Sequence, residues 1–191
     1  MIDKSFNRFV FIDTETGGID PQKHSLLQIG LVIWDANLGI IDQAEWYIKS
    51  NHYCFTKHAQ SMNKFNLLEH NHFAKEPKTV IKEMLLFLGR YFDKNYFIPL
   101  IGHNVQFDVA FLKEFFKKNH RSFNQYFSHR YIDTYSVYKT LVLAGIISHS
   151  LDSSADAFNY FKIQVDNRHR AISDCIATVE LYTKLLSLLE K

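Results

Sequence analysis

Residues 9–12, Phe9-Val10-Phe11-Ile12, form a short apolar run that ends in Asp13-Thr14-Glu15-Thr16 and is followed by Gly17-Gly18. An apolar run of this length bounded by a glycine turn reads as a buried strand. Side chains two apart on a strand point to the same face, so Asp13 and Glu15 share one if the strand persists that far. A carboxylate pair beside a core is costly unless something cationic compensates. The chain must therefore fold so that this strand sits in a sheet and delivers its acids to the sheet edge.

The rest of the chain fits around such a strand. Residues 26–34 and 40–48 are rich in strand formers and are separated by the turn cluster Asp35-Ala36-Asn37-Leu38-Gly39, which predicts an antiparallel three-strand meander. After it the period changes to three or four. Val80, Met84, Phe87 and Tyr91 define an amphipathic helix that starts near Pro77 and ends before Asp93. Residues 97–101 read as a strand, and Asn104 as the cap of a helix whose apolar face is Val105, Val109, Leu112 and Phe116, with Asp108 about one turn in. Tyr131-Ile132 is a short strand. Helices follow over residues 134–144, 151–160 with Asp152 near the start, and 171–189. With no linker, repeat or low-complexity segment, residues 1–191 read as one mixed α/β domain.

Composition narrows the partners. Net charge is +2 with a pI near 8.4, which excludes a strongly basic nucleic-acid coat protein and leaves room for a local positive groove. Cys54 and Cys175 are too few for a disulfide framework and favour a reducing compartment. The longest apolar stretches are far too short to span a bilayer, and the N-terminus has no long apolar segment, so the expected location is cytoplasmic with no membrane contact.

Three further positions carry chemistry: Asp108 in the segment from Gly102 to Asp108, and His169 with Asp174 in His169-Arg170-Ala171-Ile172-Ser173-Asp174. Asp174 falls among Ile172 and Ile176, and buried unpaired carboxylates are rare. With Asp13 and Glu15 this makes four carboxylates and a histidine. Hard anionic oxygens are what paired divalent cations require, and a histidine can take a proton from an attacking water. His103 precedes a helix N-terminus that follows a strand, a place where phosphates dock. Lys113, Lys117, Lys118, Arg121 and Arg130 read either as a solvated helix face or as a guide for a phosphate backbone. His70 and His72 lack the third ligand a zinc site needs.

Asp13-x-Glu15, Asn104-x-x-Phe107-Asp108 with Phe111-Leu112, and His169-x-Ala171-x-x-Asp174 resemble, in order and spacing, the three motifs of the DEDDh, or DnaQ-like, 3′-to-5′ exonucleases of the ribonuclease H-like superfamily. The resemblance covers nearly the whole chain. It implies a ribonuclease H-like α/β fold, in which the meander is joined by parallel strands and flanked by helices. It also implies two divalent metal ions, Mg2+ or Mn2+, with Asp13 bridging them, Glu15 and Asp174 completing the shell of one, and Asp108 serving the other. His169, in a loop before the final helix, takes the place of the general base. Residues 56–63 resemble the segment that contacts the terminal nucleotide, with His58 and Asn63 where relatives carry an acid and a histidine. Thr16 and Gly17 resemble the backbone cradle for that nucleotide, His103, Asn104 and Phe107 line the same side, and Gln28 stands where relatives often carry Glu.

The expected function is removal of nucleotides one at a time from the 3′ end of single-stranded DNA or RNA, releasing 5′-monophosphates. The alternatives are a non-catalytic nucleic-acid-binding module on the same fold and a ribonuclease H-type endonuclease. The chain stops at Lys191, directly after the last helix, with no polymerase-binding extension, which argues for a stand-alone enzyme. Family members of similar size form homodimers, and the resemblance leaves that state open for this chain.

Overall fold

The computed structural model describes residues 7–62, 66–148, 153–166 and 168–189. Its centre is a five-stranded mixed sheet in the order β3-β2-β1-β4-β5. The strands are β1 (Arg8–Thr16), β2 (Leu26–Asp35), β3 (Gly39–Tyr47), β4 (Ile98–Gly102) and β5 (Phe127–Asp133). The first three pair antiparallel as the expected meander, while β4 lies parallel to β1 and β5 parallel to β4. This is the ribonuclease H-like arrangement.

The alternation along β1 sorts the core. Val10 and Ile12 enter the face covered by α3 (Pro77–Leu88) and α4 (Val105–Lys118), whereas Phe11 enters the opposite face with Val32, Trp34 and Ile101. That second face is covered by α7 (Ala171–Ser187) through Ile172, Cys175, Val179 and Tyr182. The rings of Phe11, Trp34 and Tyr182 meet edge to face at 5.7–5.9 Å. Val10, Phe11 and Ile12 are at most 1% exposed. At about 1.5–3 kcal/mol per large apolar side chain, their burial fixes β1 as the central strand. A third cluster joins α5 (Thr134–Leu143), α6 (Ser154–Tyr160) and α7 through Tyr138, Leu141, Phe158 and Leu181.

Several boundaries differ from the sequence reading. β1 continues through Asp13 to Thr16, because antiparallel pairing with β2 extends to Thr16. β5 is seven residues long, since its pairing with β4 begins at Phe127 and resumes at Tyr131 across a register irregularity that takes in polar Ser128, His129 and Arg130, which carry no apolar signal. The helix expected to include Tyr91 and end before Asp93 stops at Leu88 against Gly89, and Tyr91 packs from a following turn. Asn104 occupies the cap position of α4 but makes no side-chain cap bond; its backbone is left-handed at φ 60°, and its amide donates to Asp133 Oδ1 at 2.9 Å. α6 starts later than expected, at Ser154, behind a reciprocal capping box of Ser153 and Asp156. Leu151 and Asp152 lie outside the described residues. Two short helices, α1 (Lys57–Met62) and α2 (Leu67–Phe73), were not anticipated. At six and seven residues they are too brief to establish a helical period.

Candidate active site

Because β1 persists, Asp13 and Glu15 stay in phase with Phe11 and lie on the face that α7 covers. Their β2 neighbours are Gly30 and Gln28. Gly30 decides how close the helix comes: a Cβ there would stand 2.6 Å from the carbonyl carbon of Ala171, so only glycine lets the first turn of α7 rest on the sheet beside Asp13. No side chain caps α7 in the usual way. Its leading amides are satisfied from the sheet instead, Ala171 N–H by Gln28 Oε1 at 3.3 Å and Ile172 N–H by Glu45 Oε1 at 3.2 Å. Arg170 adds a pair with Glu45 at 2.9 Å. The helix start is thereby pinned, and Asp174, in its first turn, is set against the β1 acids.

Asp108 arrives from the other side. β4 runs parallel to β1 and turns at Gly102 into α4, whose first turn carries Asp108 to the same strand ends. It is 4% exposed, and Thr14 Oγ1 donates to its Oδ1 at 2.7 Å. His169 precedes α7 with a left-handed backbone, φ 67°, and its amide donates to Asp174 Oδ2 at 3.0 Å. One ligand-type atom each of Glu15, His169 and Asp174 lies within 4.8 Å of the others. Beside them is Arg168, whose Nη1 is 3.3 Å from Asp174 Oδ1 and whose guanidinium lies over the Phe158 ring at 5.1 Å.

The electrostatics follow from this crowding. Burial, and then the charges of Asp108, Glu15 and Asp174, raise the Asp13 carboxyl well above its ordinary range. Glu15 is pushed up to about 8, by burial first and Asp174 next, against the opposing pull of Arg168. Asp108 is raised to about 7 by burial, with the Thr14 hydroxyl working the other way. Asp174 is also raised by burial, while Arg168 and the His169 amide lower it. Burial, with mutual repulsion added at Asp13 and Glu15, thus holds all four carboxyls above the ordinary range.

The sequence-predicted contact residues are distributed unevenly around this cluster. Thr16 is buried, with its hydroxyl donating to Gly18 O at 2.8 Å. Gly17 is a packing position: its amide donates to Ser25 O, its carbonyl accepts from Thr56 N, both at 2.7 Å, and a Cβ would stand 2.0 Å from Cys54 O. His103 is half-buried, its Nδ1 3.0 Å from Thr134 Oγ1, and burial lowers its pKa, so it stands as a neutral anchor between the β4–α4 corner and α5. Phe107 is half-buried against Phe111 at 5.0 Å, and Asn104 and His58 are exposed. Asn63 lies outside the described residues. Much of the basic stretch is engaged locally: Lys117 and Lys118 pair with Glu114, Lys113 sits over the Phe123 and Tyr131 rings, and Lys118 also donates to Pro21 O and Gln22 O. His70 is a core residue, its Nε2 3.0 Å from Ile48 O and its ring against Tyr47 and Tyr53. The sequence reading passed over Arg168, Thr14, Gly30 and Glu45. Arg168, adjacent to His169, and Thr14, between Asp13 and Glu15, stood where a motif could have flagged them, whereas Gly30 and Glu45 did not.

The geometry is that of a buried, carboxylate-lined site with a histidine at its rim. Residues 10–182 match the RNase_T exonuclease family model. Among curated proteins, a PolC-type DNA polymerase III of Thermotoga petrophila is 29% identical over 99% of this chain and 13% of its own length. An oligoribonuclease of Aliivibrio fischeri is 24% identical over 67% of this chain and 71% of its own. The chain thus spans about an eighth of the polymerase it matches. Among solved structures, the nuclease domain of 3′hExo, a DEDDh family member bound to rAMP, superposes with a TM-score of 0.76 at 15% identity, covering 95% of this chain and 92% of that one. The chain belongs to the DEDDh, or DnaQ-like, exonuclease family. Among the described residues no helix is long and apolar enough to cross a membrane.

Proposed function

We propose that the protein is a metal-dependent 3′-to-5′ exonuclease acting on single-stranded DNA or RNA. The observation that carries this reading is the convergence of Asp13, Glu15, Asp108 and Asp174, from three separate segments, on one buried spot with their carboxyls held above the normal range. A hard, oxygen-rich donor set whose own repulsion is unrelieved fits divalent cations. Asp13, Glu15, Asp108 and Asp174 would hold two of them, Mg2+ or Mn2+. Such cations supply charge neutralisation at the phosphate and a lowered pKa for the attacking water.

The chain's own residues do the rest. His169 takes the proton from the water that attacks the terminal phosphorus. The bond from phosphorus to the 3′ oxygen of the preceding nucleotide breaks, that oxygen is reprotonated from solvent, and a nucleoside 5′-monophosphate leaves with its new oxygen on phosphorus. Thr14 orients Asp108. Phe107 offers a ring face to the terminal base, and Thr16, Gly17, His58, His103 and Asn104 wall the pocket for its free 3′-hydroxyl, while the expected contact from Asn63 lies outside the described residues. The rAMP named in the 3′hExo structure and the oligoribonuclease relative support a mononucleotide product and short single strands as substrate. The chain acts from the cytoplasm, as one domain, alone or as a homodimer.

Timed digestion of matched DNA and RNA oligonucleotides labelled at the 5′ end, with Mg2+ or Mn2+, tests the reading. It should give a ladder shortening one nucleotide at a time, blocked by a 3′-phosphate and indifferent to a 5′-phosphate. Internal fragments would make the protein an endonuclease, and binding without products a non-catalytic module.

A further inference from the structure

We propose that Arg168 is a built-in counterion of this cluster, holding Asp174 in the metal-free protein and competing with a divalent cation for it. The inference rests on the metal-dependent reading above. Asp174 has two carboxylate oxygens, and adjacent residues of one loop occupy both. Oδ2 accepts from the His169 amide at 3.0 Å, and Oδ1 faces Arg168 Nη1 at 3.3 Å. A cation can use Asp174 only if that loop gives up an oxygen.

Oδ1 is the oxygen to yield. Asp174 Oδ1 and Arg168 Nη1 are both buried, yet neither has an aligned hydrogen bond; their contact is an ion pair alone. A charge pair lacking the hydrogen bonds that normally offset its desolvation is a weak competitor for a divalent ion. Arg168 does not depend on Asp174 for its place, because its guanidinium rests on the ring of Phe158, a core residue of α6 that is 3% exposed. The arrangement is an arginine mounted on α6 and reaching to the first turn of α7, across the loop that carries His169. Its positive charge also faces Asp13 and Glu15, so it offsets part of their repulsion before any cation arrives. Releasing Asp174 leaves the guanidinium beside the site, still on Phe158, and loosens the segment that positions His169. Cation loading and placement of the histidine are coupled through this one contact.

The test uses the full chain, with Mn2+ as probe and two variants, Arg168→Gln and Arg168→Lys. Free Mn2+ is followed by electron paramagnetic resonance during titration, and unfolding is followed by heat in the presence of chelator at pH 8. Removing the competitor should tighten Mn2+ binding about tenfold in Arg168→Gln. The same change should lower the unfolding temperature in chelator, where four acids then lack their counterion, and saturating Mn2+ should erase that deficit. Arg168→Lys, which keeps the charge but loses the planar stack on Phe158, should fall between. A merely structural arginine would give weaker Mn2+ binding when replaced, and either that result or an unchanged affinity overturns the proposal. Wild-type protein that binds no Mn2+ would overturn the metal-dependent reading as well, whereas normal wild-type binding with an unaltered variant would sink the role of Arg168 alone.

Discussion

The end of β1 and the segment before α7 supply opposite halves of the site and are held in opposite ways. Asp13 and Glu15 stand on a strand whose pairing with β2 runs past both of them, just beyond the stretch at Val10 and Phe11 where β4 pairs on the other side. His169 and Arg168 stand on a loop with left-handed residues at Lys162 and His169, tied down chiefly by Asp174 and Phe158. On the proposed function the difference matches the work each side would do. Like charges repel, and only a rigid frame keeps four carboxyls together with no cation between them. A proton acceptor has instead to approach and withdraw as substrate enters and product leaves, which a short strained loop permits.

Removing a ligand from the rigid half should have the largest effect. Asp13→Asn should reduce exonuclease turnover to background, because an amide is a neutral and poorer ligand at the centre of the acid cluster. The metal-free variant should meanwhile unfold at a higher temperature than wild type, since the most crowded carboxyl has gone. Turnover with saturating Mn2+ and calorimetric unfolding in chelator are the two measurements. Appreciable residual activity would show that the rigid half is not where the cations sit.

The loop half should fail more gently. His169→Ala should lose about 10²- to 10⁴-fold in rate, the usual worth of a positioned base, with Mn2+ binding retained through the four carboxylates. Its rate should then climb with pH over a range where wild type has levelled, as hydroxide replaces the missing base. The close grouping of His169 with Glu15 and Asp174 sets up the contrary outcome. Loss of Mn2+ binding in the variant would make His169 a ligand and remove the division of labour between the two halves.

What was legible in the sequence divides along the same line. The rigid half was readable because period and motif coincide: an apolar run fixes the strand, its alternation puts Asp13 beside Glu15, and a helix apolar at Val105, Val109 and Leu112 carries Asp108. The means of closure were not readable. Gly30 looks like any strand glycine until a helix backbone is found resting on it, and Glu45 is an ordinary acid on β3 until Arg170 and the Ile172 amide reach it from 125 and 127 residues away. Asn104 misled for a physical reason as well, since the local preference of asparagine for a cap is equally a preference for the left-handed backbone it adopts here. Arg168 could be seen but not interpreted, because its ring partner Phe158 sits on α6, outside the motif.

The smallest expected effect concerns the unloaded protein, where strain in the rigid half becomes a dependence on pH. Glu15 ordinarily ionises near 4.5 but only near 8 in the fold, and Asp108 moves from 3.8 to about 7. The folded state therefore holds protons that the unfolded chain has released, so stability is fully present below pH 4 and drains away as pH rises toward 8. In chelator stability should fall as pH rises from 5 to 8, seen as a falling unfolding temperature. Glu15→Gln should flatten the slope by removing one titrating group, and saturating Mn2+ should flatten it in wild type by stabilising the ionised form. A protein whose metal-free stability was level across that range would show that its carboxyls ionise freely, and the rigid frame would then be storing no repulsion for a cation to relieve.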